Sequence, residues 1–286
     1  MRVVAITELA GELEDEAAPI ASLLGVSAYD VKARLAGALP KLLLQTADSA
    51  LSERVRSALV ARGHGAVELD GAAAVSSAQM VKLRRFTFDV AGVWANRYES
   101  RASGAEVPEG QANPLAWPEE NDRAGDHLAW SDLGVVVVAV VRSEVARTTQ
   151  ELDYPGTSDE SSRTLRHDVT KTEHSLTHVA YLFPRRVAAA RTPWLLDEAT
   201  AQFLSLGARM QPTRRANFFT TITQLREHAP HAIVDDRFVT SPRTASVVLH
   251  VRGTDATPKV AAGASVDLVV HVLAEWLMRD RSGPYR

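Results

Sequence analysis

The apolar positions of this chain crowd most densely between Leu128 and Arg142, where LAWSDLGVVVVAVVR places Val135 to Val141 in one unbroken run rich in β-branched side chains. β-branching stiffens χ1 and suits a pleated, packed surface better than a helix. The run predicts a strand buried on both faces, entered through Trp130-Ser131-Asp132. Its continuation, Glu144-Val145-Ala146-Arg147, alternates as an edge would and ends near Thr149. A bilayer crossing takes ~20 apolar residues, so this run is too short to make one.

Upstream, the periods change in a regular order. Val3 to Thr7 predicts a strand. Leu13, Ala17, Ile20 and Leu24 follow at helical spacing and stop at Gly25, with Pro19 inside the stretch as a late start or a kink. Ser27 and Asp30 make a capping box, with Val26 and Val31 placed as its hydrophobic staple, and Gly37 ends that helix. Lys41 to Thr46 predicts a second strand. Asp48 caps a helix over 49–62 whose inner face is Leu51, Val55, Ala58 and Leu59. Gly63-His64-Gly65 is a turn that leaves His64 exposed, and Ala66 to Leu69 is the last strand of this unit.

Small uncharged residues fill 71–79 and predict a joint. Lys82 to Asp89 alternates as one half-buried strand through Leu83, Phe86 and Phe88. Val93-Trp94-Ala95 reads equally as its hairpin partner or as a short helical piece. Residues 99–126 hold 7 acids against 2 Arg among Pro108, Gly110, Pro114, Pro118 and Gly125, and predict a long acidic loop. Residues 153–163 are turn-rich and polar. Strands are predicted over His174 to Phe183 and Trp194 to Phe203. Pro212 and Thr213 then start a helix that buries Phe218, Phe219, Ile222 and Leu225 and is stopped by Pro230. Val247 to Val251 predicts a strand. From Ser265 a last helix carries Val266, Val269, Val270, Leu273, Trp276 and Leu277. That stripe is broad enough to pack across both preceding layers or against a second copy, which makes a homodimer through this helix one expectation.

The fold class these patterns predict is α+β. A small α/β sandwich (1–70) and a joint (71–79) precede a mainly antiparallel, barrel-like β domain (80–240) that carries the acidic insertion and is closed by amphipathic helices. A C-terminal strand and helix (241–286) pack on that second domain.

Two resemblances bear on role. The segment LGVSAYDVKARLAGALPKLLLQTADSALSERVRSALVARGHGAVELD resembles the C-terminal domain of the ribosomal stalk protein and its relative, the Clp protease adaptor. The likeness lies in a Leu-Gly before a capped helix, a small-residue and Pro break, a strand, a helix, then Gly and a final strand. The stalk family's factor-contacting helix is rich in Lys, whereas this chain offers Lys32 and Arg34 there; the resemblance implies protein contact through some other surface. Residues 80–230, several strands followed by one amphipathic helix and introduced by LAWSD, look like the pleckstrin-homology fold, which implies a module that binds a protein surface. Phosphoinositide binding in such a module would need clustered cations on its first hairpin. The candidates there are Lys82, Arg84, Arg85 and Arg97, which alternation splits between faces.

Composition narrows the classes. Net charge is −3, which argues against a general nucleic-acid coat. The charge is uneven: residues 1–70 hold 7 Lys+Arg against 10 Asp+Glu, while 181–243 hold 9 Arg against 5 acids, including Arg185, Arg186, Arg214 and Arg215. With Lys82, Arg84 and Arg85, these are the candidate cations for an acidic partner or a lipid head group. The chain has no Cys, so disulfides, thiolate metal sites and cysteine nucleophiles are excluded. The acidic start after Ile6 does not match a secretory signal, and the expectation is a cytoplasmic protein. Ala-, Arg- and Val-rich usage suggests a bacterial source of high GC content.

The one polar constellation with metal-ligand spacing is His167-Asp168 with Glu173-His174 and His178. On a helix, His174 and His178 would share a face. On a strand they would also share one, but ~13 Å apart, too far for one ion. No GxSxG, P-loop or GxGxxG occurs. The sequence therefore predicts a non-catalytic adaptor that binds another protein, without cofactor. The alternative is a metal-dependent hydrolase built on His167, Asp168, His174 and His178.

Overall fold

Local capping chemistry sets the boundaries of the first unit. In the computed structural model, which describes residues 1–37, 39–95, 126–153, 165–185, 192–240 and 262–281, β1 (Arg2–Glu8) leads into α1 (Leu13–Leu24) and α2 (Ala28–Leu35). Gly25 ends α1 with φ 67°, a left-handed conformation that glycine adopts without Cβ strain. Ser27 accepts from the Asp30 backbone N–H while the Asp30 carboxylate accepts from that of Ser27, the reciprocal box read from the sequence. β2 (Lys41–Thr46) follows. Asp48 then caps α3 (Ser49–Ala61) through the N–H groups of Ala50 and Leu51, and β3 (Gly65–Asp70) closes the unit. The strands pair antiparallel in the order β2-β1-β3. Val4, Ile6, Leu43 and Leu44 face α1 to α3 in one apolar core, which also holds Ile20, Val31, Val55 and Leu59.

The second sheet is organised around the valine run. β8 (Leu133–Asp153) holds Val135 to Ala139 at no more than 1% exposure, so both faces are covered as predicted. β9 (Leu165–Pro184) pairs with it along its whole length. β10 (Trp194–Asp197) pairs antiparallel with β9, β4 (Val81–Lys82) parallel with β10, and β11 (Ile233–Asp236) parallel with β8. The order is β11-β8-β9-β10-β4. A smaller antiparallel sheet of β5 (Phe86–Phe88), β6 (Gly92–Ala95) and β7 (Asp126–Ala129) stands beside it. A single 3₁₀ turn at Trp130–Asp132 links β7 to β8.

The two faces of the valine run meet different helices. Val136, Val138, Ala180 and Leu182 pack on α4 (Arg214–His228) through Phe218, Ile222 and Leu225, with Trp130, Phe86, Val93 and Leu128 of the small sheet in the same core. Val135, Val137, Ala139 and Tyr181 pack on α6 (Ala262–Arg281) through Val269, Val270, Val272 and Leu273. That second core also takes in Val3, Ala5, Leu42 and Val67 from the first sheet. α6 is thus an inner layer between the two sheets, the first of the two fates its broad stripe allowed. A short helix, α5 (Arg237–Thr240), follows β11 and puts Phe238 against β8.

Four readings of the sequence need correction. Lys82 to Asp89 is not one strand: β4 and β5 join different sheets, because Leu83 and Phe86 are an odd number of positions apart and one pleat cannot bury both. The ladder over Trp194 to Phe203 ends at Asp197, where the Asp197 carboxylate takes the Ala199 N–H in a turn, and Gln202 makes a single bridge to Arg85. Phe219 is 36% exposed, while Thr221 and Gln224 are buried in α4. His64 is buried at 3% exposure instead of exposed. Its Nδ1 accepts the Ala10 N–H, which leaves the proton on Nε2, 3.1 Å from Glu16. The open choice at Val93-Trp94-Ala95 resolves as the hairpin partner of β5. The expectations over residues 99–125, 154–163, 247–251 and 282–286 lie outside the described residues, as do those for Arg97 and Arg186.

Candidate functional site

Three polar features stand out from the apolar cores. The first lies where β9, the exit from β10 and the start of α4 meet. His178 and Glu198 exchange backbone contacts: the His178 N–H donates to Glu198 Oε2 at 3.1 Å and the Glu198 N–H to the His178 carbonyl at 2.9 Å. The His178 Nδ1 lies 2.6 Å from the same Oε2. An ionised carboxylate only accepts, so Nδ1 carries a proton. Phe218 and Phe219 flank the imidazole, their ring centroids 5.9 and 5.1 Å away. Arg214, in the first turn of α4, donates to the carbonyls of Glu198, Ala199 and Ala201 at 2.8 to 3.0 Å. A carboxylate holding one imidazole nitrogen is the arrangement that orients histidines for metal ligation or proton transfer. Here it also pins the β9–β10 corner to α4.

β9 does not gather the other proposed ligands around that histidine. His174 lies four positions along the strand, opposite Glu144, while Asp168 and His167 lie opposite Gln150 and Glu151. At about 3.3 Å per residue, His167 is roughly 36 Å from His178. Among the described residues, no group of three His, Asp or Glu side chains is placed to hold a metal ion.

The second feature clips the joint to α6. His271 Nε2 lies 3.0 Å from the Val75 carbonyl, Asp267 accepts the Ser77 N–H at 2.6 Å, and Lys82 donates to the Ser77 carbonyl. The Tyr181 hydroxyl donates to Asp267 at 3.2 Å. Burial, and then the Asp267 charge, push the Tyr181 phenol well above its usual range. Burial draws Lys82 and His271 below theirs. Asp267, His271 and Glu275 recur every fourth residue within an apolar helix, a signal the stripe-based reading passed over.

These contacts disperse the candidate cations. Lys82 points its ammonium at the Ser77 carbonyl, Arg85 donates to Gln202, and Arg214 is occupied by the three carbonyls. Arg84, between β4 and β5, Arg185, just past β9, and Arg215, on α4, are exposed.

The third feature is the length of the β8–β9 pair. β11 pairs with β8 only at Val135 to Val137, Phe238 bridges at Ala139, and β10 pairs with β9 only from Val179 to Leu182. From Arg142 opposite Leu176 out to Asp153 opposite Leu165, the two strands run on together. Among the described residues no other strand pairs with them there. Twelve register positions at about 3.4 Å make a ribbon on the order of 40 Å long. Among the described residues neither of its backbone edges is paired there, and an unpaired edge is a template for another strand.

No helix of the described residues is long and apolar enough to cross a membrane. No family model, no curated protein and no solved structure matches the chain.

Proposed function

We propose that this is a non-catalytic interaction protein, and that the β8–β9 ribbon is the element it presents to a protein partner. The observation that carries this reading is the extension of both strands beyond every other described strand of their sheet. A two-stranded ribbon is only marginally stable alone in water. Its open edges favour strand addition, in which main-chain hydrogen bonds supply affinity and side chains at alternate positions supply selectivity. The body behind it is suited to holding such an arm: β8 begins and β9 ends inside a sheet packed on both faces, so the ribbon is anchored at its base.

The test replaces residues 144–174 by a two-residue Asn-Gly turn, which keeps the anchored part of both strands. Full-length and shortened chains, matched for thermal unfolding, are then used to capture proteins from the native lysate. Proteins retained by the full chain and lost from the shortened one support the reading; identical sets overturn it. Stoichiometric metal in the purified chain, lost on replacing His174 and His178 together, would favour the hydrolase alternative.

A further inference from the structure

We infer that the occupant of the ribbon is an extended segment of another protein, added antiparallel along the β9 edge with a large apolar side chain opposite Leu176. The inference rests on the docking role proposed above and names its edge, its direction and its anchor.

The backbone of His178 fixes which groups point outward. Its carbonyl accepts the Glu198 N–H and its N–H donates to Glu198 Oε2, so both face the β10 side. Alternate residues of an antiparallel strand turn their N–H and C=O to the same side. Leu176 and every second residue down to Arg166 therefore aim theirs into the line that β10 has left, while the residues between aim theirs at β8. β10 leaves that line because the chain folds back at Asp197, whose carbonyl accepts the N–H groups of Thr200 and Ala201. The Glu198 carboxylate takes the place of the carbonyl that a longer β10 would offer His178. The ladder thus stops satisfied, and Leu176 is its first open rung. Among the described residues, no strand pairs with β9 beyond Val179 on that side. A row of alternating donors and acceptors fits an extended backbone.

The side chain of Leu176 says what the first residue of that backbone carries. His178, Ala180 and Leu182, on the same face of β9, are buried, but Leu176 is 66% exposed. The Phe219 ring sits 5.1 Å from that of His178, and Leu176 lies about 7 Å further along the face. Together they make an apolar ledge at the base of the ribbon. Side chains directly opposed across a strand pair stand on one face with Cβ atoms about 5 Å apart. A residue paired with Leu176 therefore sets its side chain on this ledge, and an apolar one removes Leu176 and Phe219 from water. A strand added to the β8 edge would lie two strand spacings, about 10 Å, from Leu176 and would not reach it. Antiparallel addition keeps the direction of β10 and gives the stronger ladder.

The probe is a phage-displayed library of short random peptides, selected on the full chain, with the selected peptides synthesised and titrated. They are expected to carry a large apolar residue at the head of a β-forming run. Leu176→Thr and Phe219→Ala should each weaken their binding about tenfold. Thr172→Pro removes an outward N–H of β9 and should also weaken binding about tenfold, whereas Thr148→Pro, at an outward position of β8, should leave it unchanged. N-methylation of the peptide gives a readout that leaves the protein unaltered. Methyl groups on the apolar residue and every second one after it should abolish binding, and methyl groups on the residues between should not. Failure to select any peptide would overturn the assignment. So would loss of binding in Thr148→Pro with none in Thr172→Pro, or indifference to Leu176→Thr or to the phase of methylation. Sedimentation showing a dimer that Thr172→Pro disrupts would place a second copy there and overturn it too. Each of these leaves the ribbon's docking role standing, which fails only if the shortened chain captures the same proteins as the full one.

Discussion

His271 donates from Nε2 to the backbone carbonyl of Val75 at 3.0 Å, and with the Ser77 N–H bond to Asp267 it holds the joint between the two sheets to the helix that lies between them. Burial lowers its pKa below the ordinary value, against the opposing pull of Asp267 and Glu275. The unfolded chain therefore binds this proton more readily than the folded one. Stability from the neutral ring is fully present above the unfolded pKa, about 6.5. It is lost as pH falls through that value toward the lower folded one. The melting temperature should fall between pH 7.5 and 5.5 in the unmodified chain, and His271→Gln should flatten that slope. An unchanged slope would place the titration elsewhere.

Phe218 and Phe219 are adjacent on α4 yet have opposite fates, 0% and 36% exposed. Phe218→Ala empties a position between Val136, Leu182 and Ile222 and should cost about 3–5 kcal/mol in denaturant unfolding. Phe219→Ala should cost less than about 1 kcal/mol. Similar losses at the two sites would contradict the orientation of α4.

That contrast shows where the sequence was legible. Ser27 with Asp30 and Asp48 with the N–H groups behind it are contacts three residues or fewer apart, so the first unit could be read almost element by element. The valine run could be read as a two-sided strand because nothing in it needs water. Phe219 and His64 depend on which distant element arrives at the other side, and no local period records that; the split after Lys82 was written locally, in the odd spacing of Leu83 and Phe86. The candidate site divides the same way. His178 stood out as a residue, but Glu198 lies twenty positions away and reaches it only through the β9–β10 pairing. The alternation of the ribbon was visible as far as Thr149. That its edges run on past their neighbouring strands is a property of β10 and β11, whose shortness no reading of β8 could foresee.

Gly92 permits the close approach of β6 and β7. A Cβ there would run into the Leu128 carbonyl oxygen and the His127 ring, the latter at 2.5 Å. Gly92→Ala should therefore destabilise by about 1–3 kcal/mol. Hydrogen exchange should localise the loss to the small sheet of β5, β6 and β7. Uniform loss of protection across β1 to β3 as well would contradict this assignment.

Glu198 accepts both the backbone N–H and the ring Nδ1–H of His178 through one oxygen, so its removal strands two donors at a buried corner. Glu198→Ala should cost about 1–3 kcal/mol, the usual penalty for leaving buried donors unmade. Glu198→Gln, which keeps a carbonyl acceptor, should lose less. The tautomer supplies a second readout. In the unmodified chain, nitrogen NMR should find the His178 proton on Nδ1, and in Glu198→Ala that preference should relax toward Nε2. Arg214→Ala removes three donors from the same loop without touching the imidazole, so it should lower stability while leaving the tautomer in place. If Arg214→Ala shifted the tautomer as far as Glu198→Ala does, the carboxylate would not be what orients the ring, and the corner would owe its shape to the arginine alone.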